Sequence, residues 1–185
     1  MIGKIKNNLL RRVISKGSTK HVILSQYQGA LLMLKGAIMN CDDELWNSQK
    51  YGNQFWHICY HVLFYADLYL SEDEYSFNPW SHHKKEYQFL GNVPYPPYHI
   101  PVIDGLYSKQ EVLDYFNLIF NSLESRIAKT NLDETSGFFW LPFNKLELQL
   151  YNIRHIQHHA AQLIERLREE KNISIEWIGF GEKTD

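Results

Sequence analysis

Three histidines stand within five residues near the C-terminal end of the chain, at His155, His158 and His159. Residues four apart lie one turn apart on nearly the same face of a helix, so His155 and His159 would hold their imidazoles side by side. Two neutral imidazoles in that arrangement can bind one metal ion. With Ile156 and Ala160 at the centre of the apolar stripe, His158 points to the opposite side. An ordinary surface or core pair has the same spacing, so a metal site needs a third ligand from another element.

A second pair of histidines offers that ligand. His57 and His61 lie in the segment FWHICYHVLFYADLYL, residues 55–70, in which Asp67 is the only other ionisable acid or base besides tyrosine and cysteine. A helix that is apolar nearly all round is buried on most sides. A buried imidazole needs a partner, and a metal ion or a hydrogen-bonding group serves equally well. Helical geometry leaves both His57 and His61 open, and Asp67 is interpreted as a helix-end cap or an ion pair.

Two amide side chains accompany the histidines of the last helix. Asn152 and Gln162 lie on the same flank as His155 and His159, so they are predicted to orient the imidazoles or a metal-bound water. An ordinary hydrogen bond between helices is the alternative for each. No residue is selected from the sequence as a general base or nucleophile, and the catalytic residues stay unassigned.

Four long helical patterns carry these side chains. Capping residues mark two of the starts: Ser108 with Glu111 forms a capping box, and Asn144 precedes the last helix. The helices are predicted from Ser18 or Thr19 to about Asn40, from Phe55 to Leu70, from about Lys109 to about Lys129, and from Asn144 to about Glu170. With no convincing pair of strands, the sequence predicts an all-α four-helix bundle, one domain over residues 1–185 with its core at about 19–170.

The connection from Ser71 to Tyr107 holds five of the six prolines and many aromatic residues. Long irregular connections of this kind are typical of binding loops, lids or interfaces. Trp80, Tyr95 and Tyr98 could line the metal pocket, form a dimer contact or simply pack. The histidines outside the two pairs are interpreted as exposed: His21, His82, His83 and His99.

Composition restricts the classes of function. The chain has 185 residues, 44% of them hydrophobic, with a net charge of -2 and a pI near 6.5, which suits one globular domain and disfavours binding to nucleic acid or an anionic membrane. Cys41 and Cys59 are too few for a disulfide framework, so they are predicted to be core residues of a cytoplasmic protein. No apolar stretch of 18 residues is present, so no membrane span is predicted.

The two ends of the chain are expected to differ. The basic N-terminal segment, residues 1–17, lacks the long apolar core of a signal peptide and is interpreted as a loosely held arm or a short helix. The tail ISIEWIGFGEKTD, residues 173–185, alternates apolar residues and is predicted to pack back as an extended strip.

The order of these features resembles the DinB/YfiT-like family of metal-binding four-helix bundles. The resemblance covers about Thr19 to Glu170 and rests on a histidine in the second helix, a long connection and the string H-x-x-H-H-x-x-Q, here His155, His158, His159 and Gln162. It implies a divalent ion, zinc or nickel, held by His155, His159 and one histidine of the second helix. That histidine matches His61, because Trp56 stands five residues ahead of it, and His57 is the alternative.

The resemblance also implies a function. It suggests a metal-dependent hydrolase or a transferase of low-molecular-weight thiols, acting on a small molecule in the cytoplasm and compatible with a homodimer. Three neutral imidazoles leave coordination positions for water or substrate. The chain departs from the family at Ala160-Ala161, where Arg-Gly is frequent, so a role for that arginine does not carry over. A different class of function is a non-catalytic stress-related or interaction bundle in which the metal or the core histidines are structural.

Overall fold

The computed structural model describes residues 14–181. These residues form five helices: α1 Thr19–Asn40, α2 Asp43–Trp46, α3 Phe55–Tyr69, α4 Lys109–Lys129 and α5 Lys145–Lys171. No strand occurs within this part of the chain, where the sheet-like pairing is one isolated bridge between Thr135 and Asn144. The predicted all-α class is therefore confirmed. Most of the predicted N-terminal arm, residues 1–13, lies outside the described residues.

Side-chain caps set the helix starts close to where the sequence predicts them. The Ser108 hydroxyl accepts a hydrogen bond from the Glu111 backbone amide. The Glu111 carboxylate accepts one from the Ser108 backbone amide, which completes a capping box. The Asn144 side chain accepts from the Glu147 amide, and such caps satisfy amides that have no partner inside the helix. The short helix α2 is absent from the sequence-based prediction. Its start is also capped, by the Asp42 side chain.

Each of the four longer helices packs against two of the others. α1 packs against α4 and α5, and α3 packs against the same two helices from the other side. Large apolar side chains fill the space between them, with Tyr27, Trp56 and Tyr115 almost completely buried. Cys41 and Cys59 are buried free thiols, as predicted.

Helix α1 is long and apolar enough to cross a membrane by length and composition. The sequence does not show this as an unbroken apolar stretch, because α1 is apolar only in its mean hydropathy over 18 residues. Of that window, 56% is buried inside the protein. A core helix passes the same test, so the feature is weak evidence for a membrane span.

The irregular segments are fastened to the helices. The connection between α3 and α4 places Trp80 flat on Tyr115, with ring centroids 4.7 Å apart. Trp80 is therefore partly buried against the core, while Tyr95 and Tyr98 are exposed. The described part of the tail, residues 173–181, follows α1 as an extended strip: the Gly181 amide donates to the Ser25 carbonyl at 2.9 Å. Packing of the tail against the helices was predicted, and the structure shows α1 as its partner.

Candidate metal centre

Helix α3 reaches the surface at one place. Thirteen of its fifteen residues are buried, and the two that are not are His61 and Tyr65. These two lie four residues apart and therefore share one face of the helix. The opening points towards α5, where it meets the histidines of the C-terminal run.

Three imidazoles converge at this opening. The ring centroid of His61 lies 5.0 Å from that of His155 and 4.9 Å from that of His159, and the latter two are 4.8 Å apart. The ligand nitrogens of the three lie within 4.8 Å of one another. A four-residue spacing on α5 and one residue of the facing helix are thus enough to bring three nitrogens around one point. The group is near enough to hold a metal ion.

Hydrogen bonds on the outer side fix which nitrogen of two rings faces inwards. His61 Nδ1 lies 2.6 Å from the Gln88 carbonyl oxygen, and a carbonyl only accepts, so Nδ1 carries the proton and Nε2 keeps a free lone pair. His159 Nδ1 lies 3.0 Å from Gln162 Oε1, which assigns the same tautomer to His159 with the amide oriented this way. Metal-binding histidines commonly hold their second nitrogen in this manner.

His155 completes the group without an outer partner. Its Nε2 lies 3.0 Å from His61 Nε2, and its Nδ1 is buried with no hydrogen-bond partner. Without an ion, Nε2 of the neutral His155 can donate a hydrogen bond to Nε2 of His61. The Nε2 lone pair of His159 takes no part in that hydrogen bond. A divalent cation accepts all three lone pairs at once. The donor set present therefore fits a metal ion better than it fits a hydrogen-bonded cluster.

Burial keeps the three rings neutral. It lowers the pKa of His155 to about 4, and the nearby His159 and His158 further disfavour a second positive charge there. Burial also lowers the pKa of His61 well below its usual range and lowers that of His159. At neutral pH the imidazoles therefore present lone pairs rather than N–H⁺ groups towards a cation.

A turn in the long connection supplies the Gln88 carbonyl. Glu86 adopts the left-handed region at φ 68, and the Phe89 amide donates to the Glu86 carbonyl at 3.1 Å. The Glu86 carboxylate in turn accepts from His99 Nε2 at 2.9 Å. His99 is exposed, as predicted, but the pair with Glu86 fastens the turn that presents Gln88 to His61.

His57 does not join the group. Its Nε2 donates to the Tyr87 carbonyl at 2.8 Å, and its ring stacks on Trp56 at 5.1 Å. The structure thus separates two histidines that helical geometry left equivalent, because His57 lies outside the group of three imidazoles. His158 is exposed and lies outside the group, as the helical angles predict.

No family model, curated protein or solved structure matches this chain. The resemblance to DinB/YfiT-like proteins is therefore carried by the sequence motif, and the chemistry of the site is argued from its geometry.

The two predicted amide partners have different surroundings. Gln162 contacts His159, in the position predicted for a residue that orients an imidazole. Asn152 is buried and its Nδ2 donates to the Ala66 carbonyl of α3 at 3.2 Å. It makes the interhelical hydrogen bond that was its alternative, and no imidazole accepts from it.

Asp67 forms the ion pair expected for it. Its carboxylate receives a hydrogen bond from Tyr115 at 2.9 Å and lies 2.5 Å from Arg126 Nη1. These partners belong to α4, on the other side of α3 from the imidazoles, so Asp67 is not a general base for the site. Two interpretations from sequence are wrong. His21 is partly buried rather than exposed, and His83 is half-buried, with Nδ1 2.5 Å from the Tyr60 hydroxyl.

Two contributors to the site were missed by sequence reasoning. The Gln88 carbonyl is a backbone group, so no residue type announces it. Tyr65 was visible as the residue one turn after His61, and its ring packs edge-on against His61 at 4.9 Å and against His155 at 5.7 Å.

Proposed function

We propose that this protein binds one divalent ion, zinc or nickel, through His61, His155 and His159, in a four-helix bundle of the DinB/YfiT-like type. The observation that carries the proposal is the convergence of three neutral imidazoles whose outer nitrogens are, in two cases, bound to an oxygen acceptor. That outer bond is the usual companion of a metal-ligating histidine.

The site is proposed to be open to small molecules. Structural zinc sites usually have four protein ligands, whereas catalytic sites leave a position free. Within residues 14–181, no thiol or carboxylate joins the three histidines, and all three rings are partly exposed. A fourth position would therefore be available to water or to a substrate.

The proposed activity is thiol transfer or hydrolysis on a small molecule. When bound, such an ion lowers the pKa of a coordinated water or thiol. Asp67 is paired with Arg126, and no carboxylate lies in the histidine group among the described residues. Thiol transfer is favoured over hydrolysis, because a thiol ionises near neutral pH and needs less help from a general base than water does.

A conjugation assay tests this activity. Glutathione, cysteine and coenzyme A are each offered with 1-chloro-2,4-dinitrobenzene, so that a carbon–sulfur bond forms, chloride leaves and the thiol proton passes to solvent. The expected result is conjugation that requires the ion, is lost in His155→Ala and survives in the matched variant His158→Ala. Conjugation that a chelator does not reduce would contradict the transferase proposal.

A second assay separates the remaining classes. Ester and amide substrates offered without thiol should be turned over only if the site is hydrolytic. A loaded protein that is inactive in both assays would support the non-catalytic alternative, a stress-related or interaction bundle with a structural ion. A cytoplasmic location and a homodimer accompany this proposal as further proposals.

A further inference from the structure

Aromatic side chains continue from the histidine group along the contact between α3 and α5. On α3, His61 is followed at four-residue intervals by Tyr65 and Tyr69, and on α5 Tyr151 stands four residues before His155. The helices run antiparallel here, so Tyr65 packs against His155 and Tyr69 packs against Tyr151, with centroids 5.8 Å apart in the second pair.

The segment before α5 extends this row. Phe138 packs edge-on against Tyr69 at 5.3 Å and contacts Trp140 at 5.4 Å. The Ser136 hydroxyl donates to the Leu141 carbonyl at 2.7 Å, which fixes the loop that carries Phe138 and Trp140. We define the aromatic strip as Tyr65, Tyr69, Phe138, Trp140 and Tyr151.

Part of the strip faces solvent although its residue types favour burial, whereas Tyr69 is 4% exposed and Phe138 is 2% exposed. Trp140 is 42% exposed and Tyr151 is 38% exposed. Other aromatic residues of comparable size, such as Trp56 and Tyr60, are completely buried. Contiguous exposed apolar surface in a folded protein commonly marks a binding site.

The charge on the aromatic strip is small, as the surroundings of its tyrosines show. Burial raises the pKa of Tyr65, and the adjacent phenols of Tyr69, Tyr151 and Tyr95 raise it further. None of the ion pairs among the described residues lies on the strip. Lys145 Nζ lies 5.6 Å from the Phe138 ring centroid, so the strip is mainly apolar, with hydroxyl groups and one ammonium group at its edge.

We propose that the aromatic strip binds the aryl or flat apolar body of a small molecule whose anionic head occupies the open position at the histidine group. This inference rests on the proposed function, because an ion held by neutral imidazoles retains its positive charge and attracts a thiolate or carboxylate head. Successive rings from His155 through Tyr65 to Tyr69 are 5.7 and 5.6 Å apart. Tyr69 itself is buried, so the accessible rings nearest the histidine group are Tyr65 and Tyr151, the latter one helical turn before His155.

A matched pair of thiols tests the inference. 2-Phenylethanethiol and ethanethiol have similar heads and differ in the aryl body, and their binding is followed by the thiolate-to-metal charge-transfer band of the cobalt-loaded protein. The aryl thiol is expected to bind at least about 10-fold more tightly than ethanethiol, because stacking on one or two aromatic rings adds to apolar burial.

The double variant Trp140→Ala, Tyr151→Ala removes the exposed part of the strip. Its preference for the aryl thiol is expected to fall from about 10-fold to less than about 3-fold, since the exposed aromatic contacts are lost. Trp177→Ala is the matched control, because Trp177 is 73% exposed on the tail, away from the strip. That variant should retain the wild-type preference.

The outcomes separate the two proposals. If the protein takes up no cobalt, the proposed function fails and the strip loses its anchor. If ethanethiol produces the band with the same affinity as the aryl thiol, the metal site stands and the strip proposal is wrong. A preference that persists in the double variant, or that disappears in Trp177→Ala, would also overturn the strip proposal.

Discussion

Helix α3 makes polar contacts on two sides, and the two differ in how completely they are satisfied. Towards α4, the Asp67 carboxylate receives Tyr115 and Arg126, and a second Arg126 nitrogen donates to the Asp67 carbonyl at 2.6 Å. Towards α5, His155 keeps a buried Nδ1 without a partner, and its Nε2 faces the lone pair of His61. The polar groups that face α4 all have hydrogen-bonding partners, whereas the imidazoles that face α5 lack a cation to bind their lone pairs.

The difference indicates which contact serves the fold and which serves a ligand. A buried carboxylate that has an arginine and a hydroxyl has all that it needs, and removing a partner is costly. Three imidazoles with converging lone pairs gain most from a cation that the chain does not itself supply. Polar residues on the same apolar helix can therefore have opposite roles.

The largest effect on stability is expected from Asp67→Ala. Removing the carboxylate leaves Arg126 without its charge partner in a mostly buried position, which costs about 3–5 kcal/mol of the free energy of unfolding. Urea unfolding followed by circular dichroism measures this. Metal content per folded chain should stay at the wild-type value. A loss below about 1 kcal/mol would show that the contact with α4 does not stabilise the fold.

His155→Leu is expected to reverse that pattern. Removal of a ligand lowers the metal affinity by more than about 100-fold, since even residues behind the ligands contribute about 10–100-fold. The metal-free protein should lose less than about 1 kcal/mol, because a buried nitrogen without a partner is removed with the ring. Competition with a chromophoric chelator and urea unfolding give the two values. A destabilisation as large as that of Asp67→Ala would make the histidine group a structural cluster.

Gln162→Leu should have an intermediate effect. The variant removes the acceptor that holds Nδ1 of His159, so the metal affinity should fall by about 10-fold. The same chelator competition measures it. His158→Gln is the matched control, because His158 is the exposed neighbour of His159 on α5. It should change the metal affinity by less than about threefold. Equal losses in the two variants would argue against an orienting role for Gln162.

The smallest effect is expected at Glu86. Glycine adopts the left-handed region without the steric cost of a side chain, so Glu86→Gly should be about 1 kcal/mol more stable than Glu86→Ala, although both lose the contact with His99. Thermal unfolding of the two variants gives the difference. If the alanine variant is as stable as the glycine variant, this turn is not strained and does not firmly position the Gln88 carbonyl.

Much of the framework could be predicted from local signals. The capping residues Ser108 and Asn144 and the apolar periodicity gave helix limits within about one residue of those observed, because these signals act over one turn. The pairing of His155 with His159 followed from helical spacing in the same way. Helix α2 escaped prediction because four residues are too few to show a period.

The choice of the third histidine needed tertiary information. His57 and His61 lie one turn apart, so their directions differ by only about 40°. The connection gives its Tyr87 carbonyl to His57, which also stacks on Trp56 of α3, whereas His61 opens towards α5. The partial burial of His83 against Tyr60 likewise depends on where the connection packs, which no local pattern encodes.

Metal content of the protein prepared without a histidine tag tests the central claim most directly. After equilibration with zinc or nickel and removal of the unbound ion, elemental analysis should give one ion per chain for the wild type and for His57→Gln. The triple variant with alanine at positions 61, 155 and 159 should contain less than about a tenth of that amount, as expected when all ligands are lost. Equal metal content in the wild type and the triple variant, or none in either, would contradict a metal centre at these three histidines.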